Sequence, residues 1–292
     1  MTIAVYARLS KDNHPDYIKT LSTKLNKENI DFIINEDYYR FLKEHFSFNL
    51  EIPTYKSHEC IRDKVNYIIS LGGDGTILET LDLVRDSGIP VLGVNTGRLG
   101  FLATVYKEDF GLAIDFLLKD KFRLDKRSIL ELENPTGLFG DLHYAVNEVT
   151  IMKKDSSSMI SIDTTINGAF LNSYWADGLI ISTPTGSTAY SLSCGGPIMV
   201  PDAENFVITP IAPHNLNVRP IIISSNSQVH LKVRGRSPEY LISLDSRSAT
   251  IDADHEIRLK KADFTFNLIS LDMQHFFKTL RDKLMWGIDK RN

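Results

Sequence analysis

Five residues, Gly72-Gly73-Asp74-Gly75-Thr76, stand between an apolar run, Tyr67-Ile68-Ile69-Ser70-Leu71, and a stretch with helical spacing. A strand that feeds a glycine-rich turn lets backbone N–H groups come close to phosphate oxygens. Asp74 is the one acid in that turn, where a proton acceptor would face a phosphorylated ligand. A phosphate site with an embedded carboxylate points to phosphoryl transfer more than to nucleotide binding alone. The same residues also suit a tight turn in which Asp74 caps the next helix, so the turn by itself leaves both readings open. The pattern is neither a P-loop, which ends in Gly-Lys-Ser/Thr, nor G-x-G-x-x-G.

A second stretch runs Asp177-Gly178-Leu179-Ile180-Ile181-Ser182-Thr183-Pro184-Thr185-Gly186-Ser187-Thr188-Ala189-Tyr190. It reads as a strand, a turn of small hydroxyl residues and a helix start. Clustered hydroxyls and the first N–H groups of a helix are neutral donors for phosphates or ribose hydroxyls. Tyr190 offers a ring for stacking on a base and a hydroxyl donor. A Ser/Thr-rich capping loop would have the same composition. Gly195-Gly196-Pro197 then ends the helix.

These segments need a scaffold. Over the first ~125 residues strand and helix signals alternate as in βα units. Thr2–Tyr6, Phe32–Ile34, Tyr67–Leu71 and Val91–Val94 read as buried strands. Ile18, Leu21 and Leu25 mark one helical face, Ile77, Leu78, Leu81 and Val84 mark a helix over 76–85, and Asp109 to Lys119 is another. Such strands predict a parallel sheet covered on both faces, whose ligands bind at the carboxyl ends. Gly72–Gly75 and Asn95–Gly100 both lie at such ends. From about Ser128 short β-rich runs follow one another, among them His143–Ile151, Ile160–Ile166, Ala169–Trp175, Val207–Ile211 and Tyr240–Leu244, and Asn167-Gly168 suits a type I′ hairpin. This predicts an antiparallel sandwich. A helix from Gln274 to Trp286 is expected to return to the α/β half. The fold class is therefore an α/β Rossmann-like N-terminal domain, 1–125 with 267–292, and an all-β sandwich-like domain, 126–266, with the ligand site expected in the cleft between them.

Composition excludes several classes. The 292 residues are 42% hydrophobic and 24% charged, as in an ordinary globular protein. A net charge of -4 and a pI near 6.1 speak against nucleic-acid binding through a basic face. No apolar run reaches the ~18 residues of a spanning helix, and Met1–Ser10 lacks a signal-peptide layout. Cys60 and Cys194 fit no metal spacing, which predicts reduced thiols and a cytoplasmic location. The histidines show no ligand spacing, so any metal is expected to arrive on a nucleotide.

Gly72–Thr76, Gly97-Arg98-Leu99-Gly100-Phe101-Leu102, Asn147-Glu148, Asp177–Tyr190 with Ser193 and Gly195-Gly196-Pro197, Thr209–His214 with Arg219-Pro220, and Leu244-Asp245-Ser246 closely resemble, in order, the signatures of the NAD kinases. The resemblance covers essentially the whole chain. Gly-Gly-Asp-Gly-Thr is shared with lipid kinases and phosphofructokinases, whereas the Thr-Pro-Thr-Gly-Ser-Thr-Ala-Tyr stretch is far more selective. No strongly basic amphipathic helix supports a lipid kinase. Retention of Asp74 argues against a non-catalytic NAD(P) sensor.

The resemblance implies transfer of the γ-phosphoryl of ATP to the 2′-hydroxyl of the adenosine ribose of NAD, giving NADP, with Mg²⁺ delivered on ATP. Asp74 would be the base or orienting residue, with Gly72, Gly73 and Thr76 in the phosphate turn and Gly75 leaving room for the dinucleotide. Asn147 would address the adenine and Glu148 a ribose hydroxyl. Asp177, Thr185, Thr188, Ala189, Tyr190 and Ser193 would line the NAD pocket, Ala212 would permit close approach, and Phe101 would pack beside the ligand. Trp175 departs from the family where some members carry a basic residue near the new phosphate, leaving Arg98 or Arg247 to supply that charge. The family implies self-association to a dimer or tetramer.

Overall fold

The computed structural model describes residues 1–10, 15–97, 100–154, 159–271 and 276–285. Two compact units divide the chain, Met1–Lys126 with Phe266–Asn292, and Arg127–Thr265.

An eight-stranded sheet forms the first unit, in the order Thr54–Tyr55, Asp31–Asn35, Thr2–Ala7, Tyr67–Gly72, Val91–Asn95, Phe266–Ser270 and Arg123–Arg127, with Val105–Tyr106 also paired to Val91–Asn95. From Thr54–Tyr55 to Phe266–Ser270 the pairs are parallel. All five residues of Val91–Asn95 are buried, which explains its unbroken apolar run. Helix Asp16–Lys27 buries Ile18, Leu21 and Leu25, and helix Phe110–Leu118 buries Phe110, Ala113, Ile114 and Leu117; all seven join one core.

The helix expected over 76–85 is two pieces, Asp74–Glu79 and Leu81–Val84, followed by a single 3-10 turn, Arg85–Ser87. Thr80 lies at the join, its hydroxyl donating to the Ile77 carbonyl at 2.6 Å. Helix Glu36–Phe46 went unforeseen, because its aromatics fall on several sides and only Tyr38 and Leu42 are buried. The return to this unit is made by a strand as well as a helix. Phe266–Ser270 enters the sheet with Leu268 beside Val91, and helix Phe276–Leu284 follows. Gln274, His275 and Trp286, at the ends of the helix expected over Gln274 to Trp286, lie outside the described residues.

Two six-stranded sheets make the second unit a sandwich. One runs Ile221–Ser224, Asn205–Ile211, Gly178–Ser182, Glu148–Lys153, Glu239–Leu244, Arg247–Asp252; the other Ala169–Ala176, Ile160–Ile166, Val229–Arg234, Glu256–Lys261, Leu130–Asn134, Tyr144–Ala145. Their pairings are antiparallel, and inward side chains from both sheets share one core. Asn167 and Gly168 have φ of 50° and 82°, as a type I′ turn requires. The continuous run expected over His143–Ile151 instead splits, Tyr144–Ala145 in one sheet and Glu148–Lys153 in the other. The split falls on Val146-Asn147, whose backbone is claimed by groups described next.

Candidate active site

In the first unit, Gly72 pairs with Asn95, so the loops leaving strands Tyr67–Gly72 and Val91–Asn95 start side by side at their carboxyl ends. Asp74 follows the first strand and the segment carrying Phe101 follows the second. Asp74 Oδ2 accepts the Phe101 N–H at 2.7 Å, while Oδ1 accepts those of Leu102 and Ala103, both at 2.9 Å. Gly100 permits this approach, since a Cβ there would stand 1.8 Å from Oδ1. An ionised carboxylate offers about four acceptor directions. Among the described residues three are taken, and the one that remains is on Oδ2. Lys283 stands 3.9 Å from that oxygen and 4.8 Å from the centre of the Phe101 ring.

The glycines of the turn divide by role. At Gly72 a Cβ would fall 2.2 Å from Oγ1 of the buried Thr76, so this pair serves the turn's own packing. At Gly73 and Gly75 a Cβ would meet nothing within 4 Å. The chain's own packing therefore gives no reason for glycine at these two positions, which leave the backbone beside Asp74 uncovered.

In the second unit a carboxylate again gathers backbone donors. Asp245, at φ 52° in the turn between Glu239–Leu244 and Arg247–Asp252, accepts from Val146 at 2.9 Å, Asn147 at 2.8 Å and Glu148 at 3.2 Å. Thr183 completes the corner, its hydroxyl donating to the Val146 carbonyl at 2.6 Å and its N–H to that of Asn147 at 2.9 Å. These bonds take Val146 and Asn147 out of the ladder and split the strand. Gly186 fits against the corner because a Cβ would lie 2.2 Å from the Asn147 carbonyl oxygen.

Glu148 is buried in this corner, and its Oε2 has no hydrogen-bond partner among the described residues. Burial, then the charge of Asp245, pushes the Glu148 carboxyl up to about 8. Burial also raises Asp245, against the pull of its three N–H donors and of Arg247. The three N–H donors and Arg247 favour the charged form of Asp245, and no such donors reach Glu148 Oε2 among the described residues.

The hydroxyls read as donors for a ligand are largely spent inside the loop. Ser182 donates to the Asn147 and Thr183 carbonyls, Ser187 to those of Pro184 and Met199, and Ser191 bonds Thr209 at 2.8 Å. Thr188 donates to the Thr185 carbonyl at 3.2 Å, and Thr185 Oγ1 accepts from the buried Arg127 at 3.2 Å. Asp177 forms an ion pair with Lys153 at 2.6 Å, and its N–H bonds the Ile211 carbonyl, which brings it next to Ala212. Ala212 has φ 44°, a strained conformation for a residue with a Cβ. Arg247, expected as a cation for the ligand or a solvated turn residue, instead donates to the Leu142 and Tyr144 carbonyls and lies over the Phe139 ring. Trp175 is exposed, with the His214 ring 5.9 Å away.

The family model for the ATP-NAD kinase N-terminal domain matches residues 11–122, and that for the C-terminal domain matches 146–271. The NAD kinase of Flavobacterium psychrophilum is 48% identical over 294 residues, covering 100% of both chains. That of Bacteroides fragilis is 41% identical over 295 residues, again with 100% of both covered. The chain belongs to the NAD kinase family. Two solved structures share the fold at 23% identity: yeast NADH kinase complexed with NADH, at a TM-score of 0.87 over 99% of this chain and 89% of that one, and an Archaeoglobus fulgidus NAD kinase in complex with ATP, at 0.74 over 98% and 99%.

Against this family frame, the first unit joins Gly72–Thr76 to Phe101, while Arg98 lies outside the described residues. The second unit joins Asn147 and Glu148 to the 182–188 loop and Asp177 to Ala212, with Tyr190 and Ser193 exposed beyond. Missing from the sequence reading are Asp245 as the holder of Asn147-Glu148, Lys153 beside Asp177, Arg127 on Thr185, and Lys283 beside Asp74. Asp245 had a signal, since Leu244-Asp245-Ser246 was one of the matched motifs. Lys153 becomes visible only in the strand register, where its N–H bonds the Asp177 carbonyl at 3.0 Å.

Proposed function

We infer that this chain is an NAD kinase, transferring the γ-phosphoryl of ATP to the 2′-hydroxyl of the adenosine ribose of NAD. Full-length relatives at 41–48% identity support the reaction. The observation that carries the mechanism is the Asp74 carboxylate, fixed by three backbone N–H groups with one acceptor direction left on Oδ2. The ribose hydroxyl donates to that direction. Its oxygen then bonds the γ-phosphorus as the O–H bond breaks. The proton passes to Asp74, and the bond from the γ-phosphorus to its bridging oxygen breaks with the electron pair leaving on ADP. Transfer of this kind has a loose transition state and asks more of positioning than of base strength. A carboxylate so firmly held suits the orienting role.

In this reading the uncovered backbone at Gly73 and Gly75 lies along the phosphates. The half-buried Asn147, whose side chain bonds nothing among the described residues, pairs its amide with the adenine. Glu148, whose Oε2 has no partner among the described residues, bonds a ribose hydroxyl. Asp177, Thr185, Thr188, Ala189, Tyr190, Ser193 and Ala212 line the NAD-binding face of the second unit, and in the first unit Phe101 stays with Asp74. Lys153, paired with Asp177, takes the place of the basic residue that Trp175 lacks. Mg²⁺ comes on the ATP phosphates, where it neutralises charge on the transferring group. Among the described residues no group of three or more His, Cys, Asp or Glu could hold a metal by itself. The same reading makes the protein cytoplasmic and a homodimer or tetramer, for which light scattering is the direct check.

Purified protein given NAD, ATP and Mg²⁺ is expected to form NADP. Asp74→Asn should lower kcat by about 10²–10⁴ while NAD still binds. Near-native turnover in that variant defeats the role of Asp74. Absence of product with NAD, NADH, ATP, other triphosphates and polyphosphate defeats the reaction.

A further inference from the structure

Lys283 stands in the last turn of helix Phe276–Leu284, remote from Asp74 in sequence and next to it in the first unit. Its ammonium is 3.9 Å from Asp74 Oδ2 and 4.8 Å from the centre of the Phe101 ring. It therefore meets both residues of the Phe101 N–H to Oδ2 hydrogen bond. The helix is tied to the same place through Phe276, whose ring centre is 6.1 Å from that of Phe101.

We propose that Lys283 is a positioning residue for phosphoryl transfer, directing the remaining lone pair of Asp74 Oδ2 and balancing charge beside it. The inference rests on the kinase reading above. The three N–H donors fix the carboxylate plane, but only one of them bonds Oδ2. A cation near that oxygen settles the electrostatics of the direction left for the hydroxyl. The step itself is the one already written, with the hydroxyl proton passing to Oδ2 as the new O–P bond forms and ADP departs. During it the carboxylate loses negative charge while the equatorial oxygens of the phosphoryl group hold theirs. A lysine at this distance keeps an attractive partner throughout. Its side chain is 37% exposed and that of Asp74 29%, so solvent weakens the pairing without removing it. The Phe101 ring face restricts where the ammonium can go.

Lys283→Met and Lys283→Arg, each made in the full native chain and in the Asp74→Asn chain, test this by NADP formation. Lys283→Met is expected to lower kcat about tenfold with the KM for NAD within about twofold, and Lys283→Arg to recover most of the loss. In the Asp74→Asn chain the same Met substitution should cost nothing further, because it acts through the carboxylate. Unchanged thermal unfolding of the Met variant accompanies that result. A native kcat in Lys283→Met, a raised KM with kcat kept, no recovery by Arg, or a fully additive loss in the double variant would each overturn the proposal. Failure of the kinase reading is seen separately, as no NADP from the unmutated chain.

Discussion

Asp74 and Asp245 sit in unrelated folds, yet each carboxylate accepts three consecutive backbone N–H groups, from Phe101–Ala103 in one case and Val146–Glu148 in the other. Their neighbours separate them. Asp74 is 29% exposed with the Lys283 ammonium 3.9 Å away, and one acceptor direction stays available among the described residues. Asp245 turns its carboxylate inward against a buried second acid, Glu148. There the carboxylate is spent on shape: its three bonds set the corner in which Asn147 and Glu148 stand. One device thus holds the carboxylate we propose for the reacting hydroxyl in the α/β unit, and shapes the corner at Asn147-Glu148 in the β unit.

The same substitution at both sites puts the comparison under most strain. Asp245→Asn places an NH₂ against N–H donors that have no other acceptor in the corner, and is expected to cost on the order of 3 kcal/mol in urea unfolding. Asp74→Asn alters a carboxylate that is itself 29% exposed, and should cost about 1 kcal/mol or less while lowering kcat by about 10²–10⁴. Equal losses of stability at the two sites would erase the distinction.

That distinction was only half legible in the sequence. The Gly72–Thr76 turn is local, so strand, glycines and acid can be read from neighbouring residues. The partners of its acid come from the segment after the next strand in the sheet and depend on Gly72 lying opposite Asn95. The Asp245 bonds span 97 to 99 residues, a separation at which no periodicity carries information. The parallel sheet and the sandwich follow from apolar runs and turn residues, whereas strand Phe266–Ser270 could be placed only by its pairing with Val91. The hydroxyl-rich loop left both readings open, ligand donors or a capping loop, for a related reason. Its composition says that donors are present, and only the fold says that the Asn147, Pro184 and Met199 carbonyls use them.

Gly100 separates the geometry of Asp74 from its chemistry. The φ of Gly100 is not in the left-handed region, so alanine is not penalised through the backbone. Its methyl would instead stand 1.8 Å from Oδ1 and 2.3 Å from Cγ, displacing the carboxylate with its charge intact. Gly100→Ala is expected to lower kcat about a hundredfold, as misplacement of a reacting group does, with Tm shifted by only a few degrees. Steady-state kinetics beside a thermal scan decide it. Retained kcat would mean that the carboxylate need not be held where the three N–H groups hold it.

The smallest effect probes the acid beside the second carboxylate. Glu148 is lifted to about 8 from an ordinary value of 4.5, first by burial and then by Asp245, so the folded state keeps a proton that the unfolded chain releases. The stability Glu148 confers is therefore full below about pH 4.5 and is lost as the pH climbs through about 8. Gln is neutral at every pH and keeps the shape. Glu148→Gln should match the native chain near pH 5 and exceed it by on the order of 1–2 kcal/mol near pH 9, read as the difference between urea midpoints. Asp245, Arg247 and Tyr190 act electrostatically in the same corner and are present in both chains, so most of what they contribute cancels in that difference. Parallel curves from pH 5 to 9 would mean that Glu148 is ionised in the fold, leaving two negative charges side by side and only the three N–H groups and Arg247 to hold them.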